Sequence, residues 1–278
     1  MADKPDRVPP LLRAFDLLER LSRAGEPVTL AELTQDAGLP KPTTHRLLAM
    51  LVHAGLAARE PDGRRFVPGP RAARFALDAL LSGAARAPRH AILARLAAEI
   101  GETVNLTMLD GVDVVYLDRV EAAWPLRMTL QPGSRVPLHC TASGKLLLAL
   151  LPAARRDRIV AALDLARHTG RTIVDRRRLA AELARVRRER LATDDEEYLA
   201  GLVCVAVPVA TPSGRVVASV AVHAPVARMP LAAALGHRAR LERAARELGA
   251  TFATAPPARG GRPGQAASGV SPRARPRG

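Results

Sequence analysis

Lysine is almost missing from this sequence. Lys4, Lys41 and Lys145 are the whole complement, although Lys and Arg together number 42 against 27 Asp and Glu. The net charge of +15 therefore rides on arginine. Its distribution argues against reading the chain simply as a polybasic nucleic-acid binder. Residues 1–76 carry 12 basic against 9 acidic side chains, residues 254–278 carry five arginines and no acid, and the stretch between holds the remaining +7. Arg- and Ala-rich composition also follows genomic base composition, so charge supports a nucleic-acid partner without deciding it. Cysteine is scarce too. Cys140 and Cys204 are far apart and provide no disulfide framework. They and the seven histidines show no metal-ligand spacing, so neither a metal site nor a cofactor is expected. No apolar run approaches the roughly 18 residues of a membrane span, and no signal-peptide pattern opens the chain. A cytoplasmic protein without membrane contact is the expectation, and 278 residues suffice for two domains with a real core.

The most informative stretch runs from Val28 to Arg74. Thr29 followed by Glu32 is a capping box, which predicts a helix over Leu30–Ala37 that stops at Gly38. The turn Gly38-Leu39-Pro40 leads into a second helix, Lys41 to Ala54, with Leu47, Leu48 and Leu51 as its apolar face. Its first turn, Lys41-Pro42-Thr43-Thr44-His45-Arg46, has nothing apolar to bury. Such a turn suits the major groove of double-stranded DNA, where hydroxyls and helix N-terminal amides take phosphates and Arg reads guanine edges. Asp62-Gly63 then predicts a hairpin turn, flanked by Arg59, Arg64 and Arg65: a basic wing. An αα-hairpin followed by a β-hairpin with solvated charges is the plainer alternative, but the order of the parts is more specific than any one of them.

The run Leu39 to Leu48, the wing and Gly69-Pro70-Arg71 resemble the winged helix-turn-helix of IclR-family transcriptional regulators. Pro42 stands where that family often has Ser, and Arg65 where it often has Tyr; proline is tolerated in a first helical turn. The resemblance assigns DNA contacts to Lys41, Thr43, Thr44, His45 and Arg46, with Arg59, Arg64 and Arg65 from the wing.

Upstream, Pro9 to Ala24 spaces Leu11, Leu12, Phe15, Leu18 and Leu21 as a helix, which in the family supports the DNA-reading pair and joins the dimer contact. Pro70–Ser82 is a further apolar helical pattern, broken by the small residues and proline of Gly83–Pro88 before a helix from Ala91 to Ile100. Beyond Gly101 the period changes to two. Thr103–Leu109 and Asp113–Val120 predict an antiparallel hairpin around Asp110-Gly111, and Leu126–Leu130 a third short strand. Helices are expected over Ser143–Leu151, Ala154–Leu163 and Val174–Arg190, strands over Gly201–Ala210 and Arg215–His223, and a last helix over Leu231–Leu248. The Arg-rich helix places Leu179, Leu183 and Val186 in one stripe, leaving its arginines to solvent. Antiparallel strands with helices between them indicate an α+β domain. Three segments, Val112–Val120, Val136–Lys145 and Asp194–Cys204, further resemble the family's GAF-like effector-binding domain.

The fold class expected is thus two-domain α+β: a helix-rich winged helix-turn-helix (residues 8–70), a linker helix (71–88) and a GAF-like effector domain with an antiparallel sheet (89–252). The tail, residues 253–278, is Pro-, Gly- and Arg-rich and expected to be disordered, adding phosphate contacts at most.

Thr141-Ala142-Ser143-Gly144-Lys145 opens a helix with small and hydroxylated residues, which suits an anion such as a carboxylate; the alternative is that Thr141 only caps the helix. It lacks the glycine spacing of a phosphate-binding P-loop. The family resemblance places the small-molecule pocket at Met128, Val136, Ala142, Ser143, Asp194, Leu202, Cys204, Ala221 and His223. His223 is either a titratable donor for an acidic or hydroxylated ligand or a strand-end histidine bonded to backbone. His139-Cys140 point to opposite sides of an extended segment and Cys204 sits in an apolar strand, so no activated thiol and no enzyme is expected. The reading is a regulator whose operator binding responds to a small metabolite. A lone helix-turn-helix covers half a palindromic site, so a homodimer is implied, and the family adds pairing to a tetramer through effector domains. A metabolite sensor without sequence-specific DNA binding is the alternative; it leaves the Lys41–Arg46 turn and the wing unexplained.

Overall fold

The computed structural model describes residues 8–122 and 130–252. Helix α1 (Pro10–Ala24) crosses α2 (Leu30–Ala37) and α3 (Lys41–His53). Their shared core holds Leu17, Leu21, Leu33, Leu47, Leu48, Leu51 and Phe66. The capping box forms as expected: Glu32 N–H donates to Thr29 Oγ1, and the Glu32 carboxylate accepts from the Thr29 amide at 2.7 Å. Gly38 closes α2 at φ 63°, the left-handed region that glycine reaches without strain. Strand β1 (Val28–Thr29) pairs with β3 (Arg65–Pro68), and β3 with β2 (Ala57–Arg59), in a three-stranded antiparallel sheet. One expectation for α1 changes. Leu17 and Leu21 are its buried residues, whereas Leu11, Leu12 and Phe15 stay exposed, Leu11 at 78%.

Helix α4 (Pro70–Leu81) leads into α5 (Gly83–Ile100). The break expected at Gly83–Pro88 is absent, and α5 runs straight through Pro88. A mid-helix proline costs a hydrogen bond, roughly 3 kcal/mol or more, so packing must hold the turn together. Arg86 and His90, on either side of Pro88, both bind the buried Asp118 carboxylate, at 2.8 and 3.0 Å. Arg89, itself buried, donates to the Ala85 carbonyl at 2.8 Å and to the Leu80 carbonyl at the end of α4.

The second domain is built on β4 (Thr103–Asp110), β5 (Asp113–Val120), β6 (Arg135–Pro137), β7 (Ala192–Asp195), β8 (Leu202–Ala210) and β9 (Val216–Pro225). Their order is β6-β5-β4-β9-β8-β7, antiparallel throughout. Three helices follow β6 in the chain: α6 (Ala142–Leu150), α7 (Ala153–Ala162) and α8 (Arg176–Glu189). Helices α6 and α8 pack on one face of the sheet, with Leu146, Leu179, Leu183 and Val186 in the interface. Helix α5 and the C-terminal α10 (Arg238–Ala250) cover the other face, with Leu93, Leu241 and Leu248.

The last helix is two helices, because α9 (Leu231–Leu235) ends before Gly236-His237 and α10 starts anew at Arg238. Strands β6 and β7 carry no periodic signal at three and four residues, so only pairing to their neighbours reveals them. The strand expected at Leu126–Leu130 and the tail from residue 253 lie outside the described residues, Leu130 apart. Among the described residues no helix is long and apolar enough to cross a membrane.

Candidate functional site

Helix α3 starts without a side-chain cap. The amides of Thr43 and Thr44 donate instead to the Pro40 carbonyl at 2.9 and 3.0 Å. Lys41, His45 and Arg46 are exposed and Thr43 is half-buried. Thr44 does not join them. Its side chain is fully buried and its hydroxyl donates back to the Pro40 carbonyl at 3.3 Å. Positions 44, 47, 48 and 51 form one helical stripe, so Thr44 belongs to the face that carries the three leucines. It is removed from the expected DNA contacts.

The wing is organised by Asp62. Its carboxylate accepts from the amides of Arg64 and Arg65 at 2.9 and 3.1 Å and from Arg65 Nε at 2.6 Å. These donors hold the Asp62 carboxyl down at about 2. Arg59 lies 4.9 Å over the Phe66 ring and donates to the Gly63 carbonyl. Arg59, Arg64 and Arg65 all remain exposed around the hairpin loop.

In the second domain, pairing puts Asp194 of β7 opposite Cys204 of β8, and Cys204 opposite His223 of β9. The first turn of α6 closes over this row and leaves a cavity of about 30 Å³, room for about two water molecules. Of the residues named from sequence, Val136, Ala142, Ser143, Asp194, Leu202, Cys204 and His223 line it. Ala221 does not; it is buried in the apolar cluster beneath α6, opposite Asn105 and Ala206. Met128 lies outside the described residues. Asn105, Thr107, Val114, Tyr116, Thr141 and Tyr198 complete the wall. Asn105, Thr107, Val114 and Tyr116 were not expected because nothing local marks them: β4 and β5 carry them there by register, and Asn105 and Thr107 simply alternate with Val104 and Leu106.

A hydrogen-bond chain decides the protonation of His223. Arg119 donates to Asn105 Oδ1 at 3.1 Å, which turns the Asn105 amide nitrogen toward His223 Nδ1 at 2.9 Å. Nδ1 is therefore the acceptor and Nε2 carries the proton. Burial, helped by the Arg119 charge, pushes the imidazole down to about 3. His223 is thus bonded to a side chain, Asn105, rather than to backbone, and is neutral around neutral pH. Asp194 moves the other way. Burial pushes its carboxyl up to about 7, against the amides of Glu197 and Tyr198 that donate to Oδ1 at 2.7 and 3.3 Å.

Thr141 is held on two sides. It caps α6 by accepting from the Gly144 amide at 3.1 Å, donates to the Pro137 carbonyl at 2.7 Å, and lines the cavity. Gly144 is obligatory, since a Cβ there would meet the Leu138 carbonyl oxygen at 2.4 Å. Lys145 turns away from the cavity into a buried cluster with Glu197 and, at 3.2 Å, Glu182.

Residues 10–61 match the IclR helix-turn-helix domain, and residues 81–250 match the C-terminal domain of bacterial IclR transcriptional regulators. The chain belongs to the IclR family. It is 50% identical over 241 residues to the "Probable transcriptional regulator SauR" of Cupriavidus necator, covering 87% of this chain and 96% of that protein. It is 32% identical over 225 residues to the transcriptional repressor IclR of Escherichia coli, covering 80% and 82%. The crystal structure of Thermotoga maritima IclR superimposes with a TM-score of 0.57 at 28% identity, over 86% of this chain and 96% of that one. These IclR relatives are transcriptional regulators, not enzymes, and the thiols agree. Burial raises Cys204 far above neutral and Cys140 to about 12, so neither is an activated nucleophile.

One grouping was not legible in the IclR-like motifs. The fold brings His139, Cys140 and His168 together, one ligand atom from each within 4.8 Å of the others.

Proposed function

We propose that this IclR-family regulator reads its operator with the exposed first turn of α3 and releases or grips DNA in response to a small carboxylate bound in the cavity. Lys41, Thr43, His45 and Arg46 face the major groove, and Arg59, Arg64 and Arg65 of the wing reach the flanking phosphates. The observation that carries the effector reading is the convergence of donors on one buried void. His223 with its proton on Nε2, Ala142 and Ser143 in the first turn of α6, and Asp194, whose carboxyl holds its proton up to about neutral pH, all line it. A carboxylate takes hydrogen bonds from each of these, and its charge is met by the positive end of α6.

At about 30 Å³ the cavity has to widen to admit such a ligand. The effector therefore selects a wider arrangement than this one, and that differential affinity is what lets it act on DNA binding. Domain limits of 8–70, 71–88 and 89–252, with a tail from 253, fit this division of labour. The exposed apolar face of α1, with Leu11, Leu12 and Phe15, supports a homodimer formed through the N-terminal domains, and the effector domains supply further pairing to a tetramer. The protein acts in the cytoplasm, with the DNA it binds.

The test is binding of the purified chain to DNA upstream of its own gene and to a scrambled duplex across a salt series. A preference that survives near-physiological salt is expected. In Arg46→Ala it should fall at least tenfold, about 1.4 kcal/mol and the low end of a lost bidentate base contact, while binding of small carboxylates by calorimetry is unchanged. Equal binding of both duplexes that vanishes with salt would leave only non-specific phosphate contacts.

A further inference from the structure

We propose that His139, Cys140 and His168 form a binding site for a borderline-soft divalent transition ion of the zinc class. The site is separate from the effector cavity and does not depend on how that cavity is read. With one ligand atom of each residue within 4.8 Å of the other two, all three lie no farther than about 2.8 Å from a common centre. Zinc bonds to imidazole and thiolate are ~2.0–2.3 Å, so shifts of about half an ångström per side chain close the site.

Two features show that the side chains are set for this task. His139 Nε2 is 2.9 Å from the Ala166 carbonyl and must donate to it, which leaves the lone pair on Nδ1. A metal-bound imidazole is oriented in this way, its second N–H given to a carbonyl. The loop between α7 and α8 that carries His168 is itself braced, because Thr172 Oγ1 accepts from the amides of His168 and Thr169 at 3.0 and 2.8 Å. The His168 ring then stands edge-on to Tyr198 at 5.2 Å.

The donor set, two imidazoles and a thiol, is the one that selects zinc-like ions over calcium or magnesium. The local field suits a cation as well. The positive charge that acts on both Cys140 and His139, Lys145, is already paired with Glu182 and Glu197. Binding forms a sulfur–metal bond, breaks the Cys140 S–H bond and releases that proton to solvent. Three protein ligands leave one position of a tetrahedral ion for water. His139 and Cys140 directly precede Thr141, and His168 packs on Tyr198, so an ion here braces two residues of the cavity wall from behind.

The experiment uses the full chain, stripped with EDTA and titrated with Co²⁺ and then Zn²⁺. One Co²⁺ per chain is expected, with a thiolate-to-cobalt charge-transfer band in the near ultraviolet and the visible bands of a tetrahedral site, all displaced by Zn²⁺. Cys140→Ala should abolish the charge-transfer band and Cys204→Ala should leave it. His168 is exposed, so His168→Ala tests the site without disturbing the core. It should weaken Zn²⁺ binding, read by competition with a chromophoric chelator, by at least ~10-fold, since even outer-shell losses cost that much. No thiolate band in the unmodified chain, or Zn²⁺ affinity unchanged in His168→Ala, would overturn the assignment.

Discussion

On the face of the six-stranded sheet covered by α5 and α10, the strands present Val104, Leu106, Val205, Val207, Val220 and Val222, all without solvent exposure. On the face covered by α6 and α8, alternate residues of the same strands present Asn105, Thr107, Cys204, Ala206, Ser219, Ala221 and His223. Burial is nearly equal on the two sides, but composition is not. The first face is filled by β-branched and Leu side chains that interlock. The second is lined by small and polar side chains, which leaves room at the α6 N-terminus and orients Asn105, Asp194 and His223 around it. Thr107 Oγ1 even lacks a hydrogen-bond partner among the described residues. One face holds the domain together, and the other gives up packing to keep a cavity.

The largest effect should come from breaking the apolar face. Leu106→Ala removes a side chain with no exposure, and its unfolding free energy, measured in urea, should fall by ~2–5 kcal/mol. Filling the other face is the milder counterpart. Ala221→Leu forces bulk between the sheet and α6, and should lower the unfolding free energy by ~1–3 kcal/mol of overpacking.

The two faces also differ in their response to pH. Asp194 is raised from 3.8 to about 7, so the folded chain holds a proton that the unfolded chain releases, and stability falls as pH rises through that window. His223 is lowered from 6.5 to about 3, so the unfolded chain takes up a proton that the folded chain refuses, and stability falls as pH drops from 6.5 toward 3. Asp194→Asn should therefore flatten the loss toward neutral pH, and His223→Gln the loss toward acid, in urea melts across pH 3.5–8. Leu106→Ala should lower the whole profile without changing its shape. Should the two polar-face variants keep the parental slopes, these groups do not govern them. The smallest effect belongs to Thr107→Val. An unpaired buried hydroxyl replaced by a methyl should leave stability unchanged or raise it by up to ~1 kcal/mol, while weakening the effector.

The first domain was the more legible of the two because its signals are local. The Thr29–Glu32 box, Gly38 and Asp62-Gly63 each act within four residues, and each forms as read. What misled there was the orientation of a helix, not its existence. Thr44 is polar, yet its position three residues before Leu47 turns it inward, and the apolar Leu11 and Phe15 are left exposed among the described residues. In the second domain the strands β4, β5, β8 and β9 could be read from their period of two. Strands β6 and β7 are too short to show one.

The sequence by itself determined the order of elements, the polar first turn of α3, the wing, and most of the residues around the cavity. Only the tertiary structure decided that α5 continues through Pro88, that Asp194, Cys204 and His223 stand in one row, that His223 is neutral with its proton on Nε2, and that His168 meets His139 and Cys140. The physical reason is range. Caps and turns are set by hydrogen bonds between near neighbours in the chain, whereas strand register, burial and the field at a buried group depend on residues a hundred positions away, and those meet only when the sheet closes.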